Sequence, residues 1–96
     1  MNIGNLIRDR GKEILRVSHK HGARSVRIFG SIARGQESVT SDLDLLVEMD
    51  PRSSLLDIVA IKQDLEDLLG CKVDVVTEAA LSPYIREDVL KEAKSL

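Results

Sequence analysis

Aromatic residues and cysteine are scarce in this chain of 96 residues, which contains one phenylalanine, one tyrosine, no tryptophan and one cysteine. A core must therefore be built from aliphatic side chains. The surface also lacks the aromatic platforms on which single-stranded nucleic acids stack. The lone Cys71 excludes an internal disulfide and favours a reducing compartment, and we interpret it as a small buried apolar residue.

The chain also lacks an excess of basic residues and any long apolar run. Its 14 Lys and Arg are outnumbered by 16 Asp and Glu, and this balance argues against a nucleic acid as the main partner. The N-terminus is too polar for a signal peptide, and no apolar run approaches the length of a membrane span. We expect a cytoplasmic protein, with one domain over residues 1–96 and no direct binding to membranes or nucleic acids.

Hydrophobic periodicity predicts alternating helices and strands. The predicted elements are a helix from Ile3 to His21 ended by Gly22, strands from Ser25 to Phe29, from Leu43 to Glu48 and from Cys71 to Thr77, a helix capped by Ser53 or Ser54 and stopped by Gly70, and a helix opened by Pro83 that runs to about Lys94. In the last helix we expect Ile85, Val89 and Ala93 to face inward. Taken alone, this alternation suggests an ordinary parallel sheet with helical crossovers.

Two acids at the front of the second predicted strand are the first candidate site residues. Asp42 and Asp44 lie one residue apart, so an extended chain points both carboxylates to one face and Leu43 to the opposite, apolar face. Like charges this close repel one another unless a cation lies between them. Mg²⁺ takes oxygen ligands and prefers carboxylates together with substrate phosphates.

A third acid, Asp74, stands among valines in the third predicted strand. Burying an unpaired carboxylate is costly, so Asp74 either lies at an exposed edge or meets a cation. Three carboxylates from Asp42, Asp44 and Asp74 around one or two metal ions would explain all three positions. The alternative is that all three are only solvent-facing acids on a sheet.

Gly30 and Ser31 follow directly after the first predicted strand. Gly30 permits a tight turn and a close approach by a ligand, and Ser31 can cap a short helix from Ile32 to Arg34. Backbone N–H groups at such a helix start suit a phosphate. Arg34 is interpreted either as a further phosphate ligand or as a surface cation, and the residues alone do not decide between these readings.

Four runs together have a wider resemblance, which covers nearly the whole chain. They are GSIARG from Gly30, SDLDLLV from Ser41, VDVVT from Val73 and LSPYIR from Leu81. With ten residues between Gly30-Ser31 and Asp42, and a later strand that contributes Asp74, the chain resembles the DNA-polymerase-β-type nucleotidyltransferases. It is most similar to their smallest members, the minimal nucleotidyltransferase antitoxins that are paired with HEPN ribonuclease toxins.

The resemblance implies an α+β fold with α/β-like layering, in which a small mixed β-sheet is flanked by helices. It also implies an enzyme that transfers a nucleoside monophosphate from a nucleoside triphosphate to a hydroxyl and releases pyrophosphate. In the antitoxins the nucleotide is typically ATP, and the acceptor is a tyrosine hydroxyl of the toxin.

The resemblance likewise implies roles for individual residues. Asp42 and Asp44 would hold a Mg²⁺ ion that bridges the triphosphate, and Asp74 would join them on a second Mg²⁺ ion that activates the attacking hydroxyl. Gly30, Ser31 and Arg34 would bind the nucleotide. The short chain leaves no room for an acceptor-binding domain, so we expect the acceptor in trans, either on a cognate HEPN toxin in a hetero-oligomer or on a second copy of the chain. The alternative function is a non-catalytic antitoxin or interaction module that neutralises its partner by binding alone.

Overall fold

The structure is a computed structural model that describes residues 3–30 and 43–96, with side chains from Asp9 onward. Within these residues, helices and strands alternate along most of the chain. In chain order the elements are α1 (Ile3–Lys20), β1 (Ala23–Phe29), β2 (Leu43–Met49), α2 (Leu55–Leu69), β3 (Val73–Thr77), a 3-10 turn (Glu78–Ala80), α3 (Pro83–Glu92) and β4 (Lys94–Ser95). None of the described helices is long and apolar enough to cross a membrane.

The strands form one mixed sheet in the order β3-β2-β1-β4. β2 runs antiparallel to β1 and parallel to β3, and β4 runs antiparallel to β1. This arrangement confirms the mixed sheet that the resemblance implies, and it differs from the parallel sheet that alternation alone suggests. Because β1 and β2 are antiparallel, the C-terminal end of β1 lies at the same end of the sheet as the N-terminal ends of β2 and β3.

The two faces of the sheet bury separate apolar clusters. The larger cluster lies between the sheet and the helices α1 and α2, and its buried members are Ile14, Ala23, Val26, Ile28, Leu43, Leu45, Val47, Ile61, Leu65, Leu69 and Val73. The smaller cluster lies on the opposite face under α3, where Leu46 packs with Leu81 and Val89. We call this second surface the α3 face; β2 and β3 contribute Asp44, Leu46, Asp74 and Val76 to it. Because Leu46 is only 1% exposed, this face combines the acids with a buried apolar patch.

Helix α2 is delimited by the residues that the sequence predicts. The Ser54 side chain accepts a hydrogen bond from the Leu56 N–H at 3.2 Å, and Asp57 Oδ2 accepts one from the Ser54 N–H at 2.9 Å. Gly70 ends the helix in the left-handed conformation, with φ of +70°. The reciprocal cap and the glycine stop are therefore both confirmed.

The C-terminal segment differs from its prediction. Helix α3 ends at Glu92, and the following two-residue strand β4 adds to the edge of β1 instead of continuing the helix. Val89 is buried as predicted, whereas Ile85 is 49% exposed and the expectation that it faces inward is wrong. The apolar contacts of α3 come from its second half, where Val89 and Leu90 lie, and Ile85 in its first turn is not among them.

Candidate functional site

The acids of two neighbouring strands meet on the α3 face. In the parallel pairing of β2 with β3, Asp44 lies directly opposite Asp74. Residues that pair in this way point to the same side of a sheet, and neighbouring strands are only about 4.8 Å apart. Asp44 is half-buried and Asp74 is exposed. The structure therefore brings together two of the three predicted carboxylates.

Gly30 lies against the Asp44 carboxylate. The antiparallel pairing of β1 with β2 places Phe29 opposite Asp44, so the turn after β1 begins beside this carboxylate. Gly30 has φ of +79°, and a Cβ atom at this position would overlap Asp44 Oδ2 and come within 3.1 Å of Asp44 Cγ. The backbone conformation favours glycine here, and any side chain at this position would displace the Asp44 carboxylate.

A further carboxylate reaches the same turn from α3. The Gly30 N–H donates a hydrogen bond to Glu92 Oε1 at 3.0 Å. Glu92 was not among the residues that the sequence singled out. No local signal marks it, since its approach to Gly30 depends on the short strand β4, which has no recognisable pattern of its own.

The remaining predicted site residues lie outside the described residues. These are Asp42, Ser31 and Arg34, together with the short helix expected from Ile32 to Arg34. Their roles therefore stay predictions. Within residues 9–30 and 43–96, no three Asp, Glu, His or Cys side chains converge to form a metal site.

Strand β3, which contributes Asp74, is held in place from its open edge by α2. Lys62 Nζ donates to the Val73 carbonyl at 2.8 Å, and Glu66 Oε2 accepts from the Val73 N–H at 3.1 Å. Lys62 and Glu66 also pair with each other at 3.3 Å. These side chains satisfy both main-chain groups of Val73 at the sheet edge, which fixes the strand one residue before Asp74.

The pKa of Glu66 reflects this arrangement. The hydrogen bond from the Val73 N–H lowers the pKa of the Glu66 carboxyl below its ordinary value, and Lys62 and Lys72 lower it further against an opposing effect of desolvation. Glu66 is thus held in its charged form, in which it is only an acceptor. This is the form that the Val73 N–H and the Lys62 ammonium require.

The carboxylate oxygens of Asp44 and Asp74 fit a hard divalent cation. Asp44 and Asp74 offer carboxylate oxygens on the same face of the sheet, without sulfur or nitrogen donors beside them in the pairing. Mg²⁺ selects oxygen ligands of this kind and usually binds through one or two carboxylates plus substrate phosphates. The pair therefore suits a Mg²⁺–nucleotide complex better than a closed structural metal site.

A separate cavity of about 340 Å³ lies toward the opposite end of the sheet, where Arg27, Glu48 and Glu78 contribute to its lining. Glu48 is four residues beyond Asp44 along β2, or roughly 13 Å for an extended chain. Two of these three charged side chains are acidic, so the cavity offers no concentration of positive charge for a triphosphate. The pair of Asp44 and Asp74 is the better candidate for the reactive site.

The nucleotidyltransferase-domain model matches residues 10–96, which include the glycine turn and both described aspartates. The chain belongs to this nucleotidyltransferase family. Its most informative sequence relative is the protein named "Putative protein adenylyltransferase MJ0435" of Methanocaldococcus jannaschii. The two are 42% identical over 93 residues, which span 97% of this chain and 96% of the relative.

Two solved structures share the fold of this chain. A structure described as a "putative minimal nucleotidyltransferase" is 46% identical and superposes with a TM-score of 0.87, covering 97% of this chain and 95% of the other. A toxin–antitoxin crystal structure with AMP-PNP shares the fold at 21% identity, with a TM-score of 0.75 and coverage of 88% of this chain and 69% of the other. The fold prediction and the family resemblance are both confirmed.

Proposed function

We propose that this nucleotidyltransferase transfers AMP from ATP to a tyrosine hydroxyl of a HEPN ribonuclease toxin, and that it acts in this way as an antitoxin. Family membership gives the reaction class. The name of the Methanocaldococcus jannaschii relative supports a protein as the acceptor and AMP as the transferred group. The toxin–antitoxin structure with AMP-PNP supports a toxin as the partner and an adenine nucleotide as the substrate.

One structural observation carries the proposal: Asp44 and Asp74 pair in register on one face, with Gly30 against Asp44. Acids that only face solvent need not pair in register beside a glycine in the left-handed conformation. A nucleotide site needs both features, because the carboxylates bind the cation that accompanies the triphosphate and a residue without a side chain lets the phosphates approach the backbone.

The transfer is an in-line substitution at the α-phosphorus of ATP. The acceptor oxygen forms a bond to this phosphorus as the bond to the β-phosphate oxygen breaks, and pyrophosphate leaves. The proton of the acceptor hydroxyl passes to a nearby carboxylate, and we assign the exposed Asp74 to the acceptor side of the site. A tyrosine hydroxyl has a pKa of about 10, so it needs only modest activation.

We assign the binding of Mg²⁺ to Asp44 and Asp74 together with Asp42, and two ions are expected. Bound Mg²⁺ supplies electrostatic stabilisation of the attacking and the leaving oxygens. The protein holds Asp44 and Asp74 on two hydrogen-bonded strands, so that little reorganisation of these two side chains is needed when the nucleotide arrives. Gly30, Ser31 and Arg34 are proposed to orient the phosphates.

The test is the mass of a HEPN-family partner encoded beside this chain after incubation with Mg-ATP. We expect the partner to gain the mass of one or more AMP residues. Asp44→Asn and Asp74→Asn should each slow the gain by about 100-fold or more, because each removes charge from the reacting centre. Asp67→Asn is the matched control, since this exposed acid lies on α2 and should leave the rate unchanged.

A non-catalytic antitoxin is the second candidate, and exposed apolar residues favour it. Leu55 and Leu56 are 78% and 79% exposed at the start of α2, and Tyr84 is 93% exposed at the start of α3. Surfaces of this kind are common in protein interfaces. A stable complex whose partner keeps its original mass in Mg-ATP would support this second function and contradict the first.

A further inference from the structure

Glu92, the last residue of α3, contacts Gly30 because of the way in which β4 pairs with β1. Strand β4 pairs antiparallel with β1, with Ile28 opposite Lys94. In an antiparallel ladder two steps forward on one strand match two steps back on the other, so Gly30 lies across from Glu92. The position of Glu92 is therefore fixed by the register of β4 and is not an accident of a flexible surface side chain.

The direction of the Gly30 amide follows from the same ladder. The Val26 carbonyl accepts a hydrogen bond from the Leu96 N–H at 3.2 Å, which shows that this residue of β1 presents its main-chain groups to β4. Every second residue of an antiparallel strand does so, and Gly30 is four residues beyond Val26. Since β4 begins only at Lys94, the acceptor that meets the Gly30 N–H is the Glu92 carboxylate rather than a main-chain carbonyl.

Two carboxylates thus flank a single glycine. Asp44 lies against the Cα atom of Gly30, and Glu92 accepts from its N–H. The Gly30 amide is also the group to which the proposed function assigns a nucleotide phosphate. A phosphate oxygen that approaches this amide meets the negative charge of Glu92 and competes with it for one donor.

We infer that Glu92 competes with the nucleotide phosphates for the Gly30 amide and thereby weakens the binding of Mg-ATP. This inference rests on the proposed function, because it requires a nucleotide at Gly30. Nucleotide binding displaces the Glu92 carboxylate from the amide. The C-terminal segment that β4 ties to the sheet is thereby coupled to the occupancy of the site. Glu92 is a positioning residue in this scheme and takes no part in the bond exchange.

Glu92→Gln separates this role from a purely structural one. Glutamine keeps an Oε1 acceptor for the Gly30 N–H but removes the negative charge. If Glu92 only completes the β1–β4 ladder, glutamine should serve as well and the affinity for nucleotide should not change. If Glu92 competes with phosphate, the full-length Glu92→Gln protein should bind Mg-ATP at least about three-fold more tightly at low salt.

The measurement is the dissociation constant of Mg-ATP by titration calorimetry, at ionic strengths of about 0.02 M and about 0.5 M. Glu87→Gln is the matched control: it makes the same charge change on α3, at an exposed residue whose only described ion pair is the surface contact with Lys91 at 3.7 Å. We expect the gain of Glu92→Gln over Glu87→Gln to shrink at the higher salt, where screening shortens the reach of the charge. Thermal melting without nucleotide verifies that both variants are folded at the assay temperature.

The outcomes distinguish the two proposals. If the unmodified chain binds Mg-ATP but Glu92→Gln binds it no more tightly than Glu87→Gln, competition by Glu92 is refuted and the proposed function stands. If the unmodified chain binds no Mg-ATP, the proposed function fails and this inference fails with it. Tighter binding by Glu92→Gln alone, diminished by salt, supports competition at Gly30.

Discussion

Replacing Gly30 by alanine tests the contact between the turn and the acid pair. Alanine in a left-handed conformation costs about 1–2 kcal/mol, and Gly30 has φ of +79°. The new Cβ would in addition overlap Asp44 Oδ2 and stand within 3.1 Å of Asp44 Cγ. The Asp44 carboxylate must therefore move away from its position beside Asp74.

Gly70→Ala is the matched control for this experiment. Gly70 has φ of +70°, so alanine there has a similar backbone strain, but a Cβ atom at Gly70 meets nothing within 4 Å. The strain alone should lower the melting temperature by about 4–8 °C per kcal/mol in a domain of this size. If the melting temperature of Gly30→Ala falls further than that of Gly70→Ala, the difference measures the displacement of Asp44.

We expect Gly30→Ala to slow AMP transfer by about 100-fold, because a displacement of about 1 Å at a reacting centre has an effect of this size. Gly70→Ala should transfer AMP at the unmodified rate at temperatures where it is folded. The assays are thermal melting and the rate of AMP incorporation into the partner. Equal transfer rates for Gly30→Ala and Gly70→Ala would refute the reasoning that the turn and Asp44 form one site.

Three further perturbations test other parts of the molecule. Ser54→Ala should destabilise the protein by about 1 kcal/mol, measured by urea unfolding, because it removes the side-chain acceptor of the α2 cap; Ser53→Ala serves as the neighbouring control. Because Glu66 has a lowered pKa in the folded state, it stabilises the fold above the unfolded pKa of about 4.3 and loses this contribution as the pH falls through its folded pKa. Glu66→Gln should therefore be less stable than the unmodified chain at pH 7. The difference between the urea midpoints of the two proteins should become smaller as the pH falls, and a difference that grows would contradict the lowered pKa of Glu66. Asp74→Asn should remove most of the rise in melting temperature that Mg-ATP gives the unmodified chain, and an undiminished rise would show that Asp74 does not support nucleotide binding.

The acid pair could be predicted because it depends on local rules. Side chains alternate along a strand, so Asp44 points away from the face that Leu43 occupies, and Asp74 points away from the face that Val73 occupies. Leu43 and Val73 are both fully buried. Once β2 and β3 pair in parallel, the two acids must share a face. The cap of α2 was predictable for the same reason, since Ser54 and Asp57 lie three residues apart.

The contribution of Glu92 could not be predicted, because it depends on long-range pairing. β4 contains only Lys94 and Ser95, too few residues to show an alternating pattern, and the sequence predicts instead that the helix continues to about Lys94. The exposure of Ile85 had the same origin: helical spacing marks an apolar stripe but does not tell how far the sheet beneath it extends. The mixed character of the sheet likewise follows from the family resemblance and not from the alternation of elements.

The most direct test of AMP transfer by the carboxylate pair is a comparison of two labelled ATP molecules. The chain, the proposed HEPN-family partner and Mg²⁺ are incubated in parallel with ATP labelled at the α-phosphate and ATP labelled at the γ-phosphate. Nucleotidyl transfer predicts label on the partner from the α-phosphate only, with the γ label released in pyrophosphate and the labelling slowed by about 100-fold or more with Asp44→Asn. Label on the partner from the γ-phosphate, or equal labelling by Asp44→Asn, would contradict it.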